Sequence, residues 1–264
     1  MRRTGQADIP EAATARERVA EAGAPAIPVS RAAGPLILSD VLPQGMRYLL
    51  LLYLGYRSLT YAGAFLLGSA LGAVLGGMVD FGINQYWLRL TGPDLCLNQR
   101  TFSRVLRGKV LACLGGLLCI GGGIALGAWS PSLPMAMVVG IGLAATQVLA
   151  ETCEAAGLSL HRYQMVALFR VLMSVGMYGV PLVLAWTLQQ EANHAGLDLA
   201  LLAGLMIGVL LCGLYAWRMM ALLPGGTYGN RGYRRAWWEA RWLGLNQIAI
   251  VLDVRAPLLI LGFM

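Results

Sequence analysis

Apolar residues in this chain gather in blocks of about 20, the length an α-helix needs to cross a bilayer. The blocks lie near 35–55, 60–83, 109–129, 133–153, 164–188, 197–222 and 243–263. No strand-like alternation of apolar and polar residues appears between them. Charged residues make up 12% of the 264 and apolar ones 58%. A soluble domain carries roughly 25% charged residues, so this surface cannot be coated for water. Soluble enzyme, secreted disulfide scaffold and disordered chain are all disfavoured. The expected fold class is all-α: a polytopic transmembrane bundle of about seven helices with a cytoplasmic N-terminus.

Residues 1–34 are rich in Ala, Pro, Arg and Glu and hold no apolar run. Arg2 and Arg3 resemble a signal-peptide n-region, but no h-region follows. The stretch reads as a disordered cytoplasmic tail, leaving 35–264 as the membrane domain.

Basic residues support that topology. With the tail inside and the spans alternating, 17 of the 20 Lys and Arg residues fall on the cytoplasmic side. Only Arg57 lies in an outer loop, and Arg47 and Arg255 fall within the first and seventh spans. Without the first span, which Asp40, Pro43, Gln44 and Arg47 interrupt, the Arg-rich tail would face outward. The net charge of +7 is therefore read as loops meeting anionic lipid, not nucleic acid. The five cysteines form no CxxC pair and read as reduced core residues.

Catalytic signatures are missing: His161 and His194 are too few and too far apart for a metal pair, and no Walker A motif surrounds Lys109. Gly140 to Ala145 fits a loose GxGxxA pattern, but inside a span with no strand before it. No enzyme, metal or cofactor is expected. Gly68, Gly72 and Gly76 recur every four residues, so one face of the second span can take a neighbouring helix at close range. Glycines of this kind also let helices bend during transport.

Ionisable residues inside spans persist where they face a cavity or a partner. Asp40 and Arg47 are seven apart, on roughly one helix face. Asp253 and Arg255 are two apart, so each needs a partner elsewhere. A hydrated cavity is the reading for Arg47 and Arg255. Asp80, Glu151, Glu154 and Arg170 fall near cytoplasmic ends, where interfacial placement is expected. In the basic, aromatic loop before the last span, Trp238, Arg234 and Arg241 can share the face of a surface helix at headgroup level.

The stretch Tyr53-Leu54-Gly55-Tyr56-Arg57-Ser58-Leu59-Thr60-Tyr61-Ala62-Gly63 leads into a Gly/Ala-rich span that closes with Asp80, Gly82 and Arg89. This resembles the N-terminal region of Wzx-type polysaccharide flippases of the MOP superfamily, where an "LG…YG" turn joins the first two helices and "DxGxxxxxxR" ends the second. The polar exit through Glu151 and Glu154, the His161-Arg162-Tyr163 turn and Asp253 in the last span agree. The resemblance spans about 36–264. Family members have 12 to 14 helices in two lobes, so this chain would supply the first lobe and one helix of the second.

The resemblance implies a flippase in the bacterial inner membrane that moves lipid-linked oligosaccharide for polysaccharide biosynthesis. Its substrate would be a saccharide on polyprenyl pyrophosphate. Arg47, Arg57 and Arg255 would be the anion contacts, and Asp40, Asp253 and Asp80 their charge partners or ion-coupling sites. Expected partners are membrane lipids, a second-half protein or second copy, and polymerase and glycosyltransferase proteins. Two alternatives stand beside it: a MATE-like drug exporter, which the arginines disfavour, and a non-transporting membrane scaffold of a polysaccharide assembly machine.

Overall fold

The computed structural model describes residues 29–89, 97–125, 135–187 and 194–223, together with helical residues at 238, 240–246, 248–250 and 252–253. The helices are α1 (Val29–Arg57), α2 (Leu59–Asp80), α3 (Ile83–Arg89), α4 (Gln99–Ala125), α5 (Met135–Ser159), α6 (Tyr163–Ser174), α7 (Val180–Thr187) and α8 (His194–Leu222). A π-helical turn, Val175–Gly179, joins α6 to α7 into one continuous rod. No strand occurs among the described residues.

Four of these helices are long and apolar enough to cross a membrane: Leu59–Asp80, Met135–Ser159, Tyr163–Thr187 and Ala195–Leu222. They coincide with four of the seven expected spans. Helices α1 and α4 occupy the first and third expected spans but are diluted, α1 by Asp40 and Arg47 and α4 by Arg100, Arg104, Arg107 and Lys109. Helix α1 begins at Val29, within the stretch assigned to the tail, and residues 1–28 lie outside the described ones. Most of the expected seventh span does so too.

Local sequence explains the joints. At the α1–α2 corner Ser58 is extended, and its hydroxyl accepts a hydrogen bond from the Tyr61 amide at 3.3 Å, capping α2. Asn98 does the same for α4 through the Thr101 amide, at 2.8 Å. Helix α2 stops at Phe81 and Gly82, both left-handed with φ of 43° and 74°. A Cβ on Gly82 would lie 2.5 Å from the Gly244 nitrogen, so close backbone approach as well as φ demands glycine here. That is a physical reason for the glycine two residues after Asp80.

Helices α2 and α5 form the tightest pair. A Cβ on Gly68 would collide with the Met137 carbonyl, one on Gly72 would meet Ala144 and Ile141, and one on Gly76 would run into Val148. Gly140 answers from α5, where a Cβ would lie 2.7 Å from the Phe65 carbonyl oxygen. The four-residue glycine stripe is thus a helix-crossing surface, as its spacing predicts. Met177 and Pro181 pack on Gly204 of α8, whose Cβ would lie 2.8 Å from the Met177 oxygen. Pro181 has no amide to give that carbonyl, which helps explain the widened turn before it. Of the cysteines, Cys153 and Cys212 are buried as expected, whereas Cys119 is exposed on α4.

Candidate functional site

Charged side chains from five helices converge at one end of the bundle. They are Asp40 and Arg47 in the middle of α1, Asp80 in the last turn of α2, Lys109 in the first half of α4, Glu151 and Glu154 in the second half of α5, and Arg170 in the second half of α6. Chain direction alternates between those helices, so one end gathers charge from all of them.

Three polar cavities open there and share walls. The largest, about 310 Å³, lies between α1, α5 and the α6 rod, with Asp40, Arg47, Glu151, Glu154, Arg170 and Tyr178 on its surface. A second, about 220 Å³, runs between α2 and α5 and is lined by Arg47, Asp80, Glu151 and Tyr178. The third, about 190 Å³, continues past Asp80, Asn84, Glu151 and Arg170. Ser39 and Pro43 also face the first cavity. Proline at 43 cannot donate to the Ser39 carbonyl, so α1 brings a polar, interrupted stretch to this wall.

Two charge networks hold the cavity floor. Lys109 of α4 is 3% exposed and donates to three oxygens: the Asp80 carboxylate, Asn84 Oδ1 at 2.9 Å and Thr152 Oγ1 at 2.7 Å. Thr152 in turn donates to the Val148 carbonyl at 3.0 Å. Asp80 spends one oxygen on Lys109, and its buried Oδ2 has no hydrogen-bond partner among the described residues. The second network centres on Arg170, which donates from Nε to Glu154 Oε2 at 2.7 Å and from a terminal nitrogen to Asp40. Burying either cation alone would be costly, and each is neutralised by a carboxylate from another helix.

Arg47 and Glu151 have no ion-pair partner among the described residues. Gln147 donates to Glu151 at 3.2 Å. Both charged groups line the two larger cavities, with Tyr178 between the same walls.

Of the residues singled out from sequence, Arg47, Asp40 and Asp80 line these cavities. Asp40 and Arg47 do share a face of α1. Arg57 is the last residue of α1 and lines none of the three cavities. Asp253 is exposed, and Arg255 lies outside the described residues. Glu151, Glu154 and Arg170, assigned from sequence to cytoplasmic ends, are half-buried walls of the first cavity, and Asp80 is buried. Lys109, counted from sequence only as a cytoplasmic charge, is a buried linchpin. One signal was available: Glu154 and Arg170 flank the Leu160–Arg162 turn at similar distances, and an antiparallel hairpin sets such positions side by side.

Near the same end, residues 240–244 cross the Phe81–Gly82 turn, and Arg241 lies over the Trp238 ring at 3.5 Å. Comparison with models of protein families, with curated proteins and with solved structures gave no match.

Proposed function

We propose that this chain is a membrane transporter of the polysaccharide flippase class, which moves a lipid-linked oligosaccharide from the cytoplasmic to the outer leaflet. The observation that carries the reading is the charge-lined cavity among apolar helices. A saccharide headgroup needs hydrogen-bonding walls to leave water, and an arginine in a low-dielectric cavity gives phosphate oxygens a bidentate partner. Arg47, which has no ion-pair partner among the described residues, would be that partner. By the positive-inside assignment the cavity end is cytoplasmic, where the headgroup would enter. No bond is made or broken in such a cycle.

Export complementation tests the reading. The chain, alone and with a candidate second-half protein, is expressed in a strain lacking its exopolysaccharide flippase. Restored surface polymer from either combination supports it. Well-expressed protein with lipid-linked repeat units still trapped in the membrane would favour the scaffold reading.

A second reading draws on one specific feature. Asp40, Asp80, Glu151 and Glu154 outnumber Arg47, Lys109 and Arg170 around the cavity, and an acidic excess suits export of cationic drugs in the MATE manner. Resistance to such drugs on expression, with no polymer export, would favour it.

A further inference from the structure

Among the described residues, the cavity between α1, α5 and the α6 rod carries two unspent charges of opposite sign. Lys109 is consumed by Asp80, and Arg170 by Glu154 and Asp40. Arg47 from α1 and Glu151 from α5 remain, and both face the same two connected spaces. An unpaired half-buried charge is tolerated when a ligand or water completes it. Two such charges of opposite sign, on separate helices, ask for a ligand that brings one of each. A purely anionic headgroup would satisfy Arg47 but set negative charge near Glu151, with Glu154 and Asp40 on the adjoining wall. A purely cationic ligand would meet the converse problem at Arg47.

Resting on the transport reading of this cavity, we infer that its ligand is zwitterionic: a saccharide headgroup with a phosphate or carboxylate for Arg47 and an ammonium, as on an amino sugar, for Glu151. Tyr178 lies on the shared wall, and Gln147 already orients Glu151. The cavity of about 310 Å³ has room for a monosaccharide with one such substituent.

The test uses the full chain purified in detergent and three soluble probes that differ at one position: glucosamine 6-phosphate, glucose 6-phosphate and N-acetylglucosamine 6-phosphate. Affinity is read by calorimetry, with the shift in thermal unfolding as a second readout. Glucosamine 6-phosphate is expected to bind about tenfold more tightly than the other two, the worth of one charge-assisted hydrogen bond. Glu151→Gln should erase that preference while keeping the glucose 6-phosphate affinity. Arg47→Gln should weaken all three. Equal wild-type affinity for the three probes would overturn the zwitterion assignment and leave a saccharide-phosphate cavity standing. Binding of none of them would overturn both. The wild-type comparison decides by itself if Glu151→Gln fails to fold. Tight, selective binding without polymer export in the complementation strain would leave the ligand assignment intact and remove the transport reading.

Discussion

Lys109 and Asp80 form an ion pair that is sealed from solvent, at 3% and 2% exposure, and ties the amphipathic α4 to the end of α2. Asn84 of α3 and Thr152 of α5 complete the ammonium's shell at 2.9 and 2.7 Å. Four helices are thus fastened through one nitrogen.

Removing one partner leaves a buried, uncompensated charge, so Lys109→Met is expected to cost about 3–5 kcal/mol. Pairing it with Asp80→Leu should recover most of that loss, since two apolar residues remove both desolvation terms. Thermal unfolding of both variants in detergent checks this. Equal destabilisation by the single and double changes would show that the site works through shape and not through charge.

Arg170 links two carboxylates of unequal burial. Glu154 is 14% exposed and Asp40 65% exposed. Glu154→Gln is therefore expected to lower stability by about 1.5–3 kcal/mol, the range for a hydrogen bond to a charged group. Asp40→Asn should change it by under about 1 kcal/mol, because solvent screens an exposed pair. A larger effect from Asp40 in unfolding measurements would mean that the cavity mouth is closed in the working protein.

The glycines divide by what a methyl group would strike. Gly68→Ala would push α2 off the Met137 backbone, and overpacking of this kind typically costs about 1–3 kcal/mol. Gly63, on the same helix, has nothing within 4 Å, so Gly63→Ala should be neutral or stabilise by up to about 1 kcal/mol. Gly82→Ala combines a positive φ with a backbone neighbour at 2.5 Å and should destabilise, loosening residues 240–246. Unfolding temperatures rank the three. Hydrogen exchange over 240–246 reports the last effect separately.

Much of the helical framework was legible because apolar block length and glycine spacing act locally. Helices α2, α5, α6–α7 and α8 fall where 20-residue blocks predicted them, and the Gly68–Gly72–Gly76 face packs as its period requires. Asp40 and Arg47 were recognisable as a shared helix face for the same reason. What stayed hidden was pairing between helices. Glu151 and Lys109 resemble interfacial charges when position along the chain is the only guide. Their burial depends on which helices touch, and a single sequence does not state that. Arg57 was singled out by its place in a motif, but it lies at a helix end away from the cavities.

Transport itself is most directly measured by reconstitution. The purified chain, alone and with the candidate second-half protein, is placed in proteoliposomes with a fluorescent polyprenyl-pyrophosphate-linked oligosaccharide in the inner leaflet, and arrival outside is read by accessibility to an added glycosidase. Time-dependent exposure above protein-free vesicles, abolished by Arg47→Gln at equal incorporation, is the expected result. Exposure no faster than in protein-free vesicles, in both combinations and with correctly folded protein, would contradict a flippase.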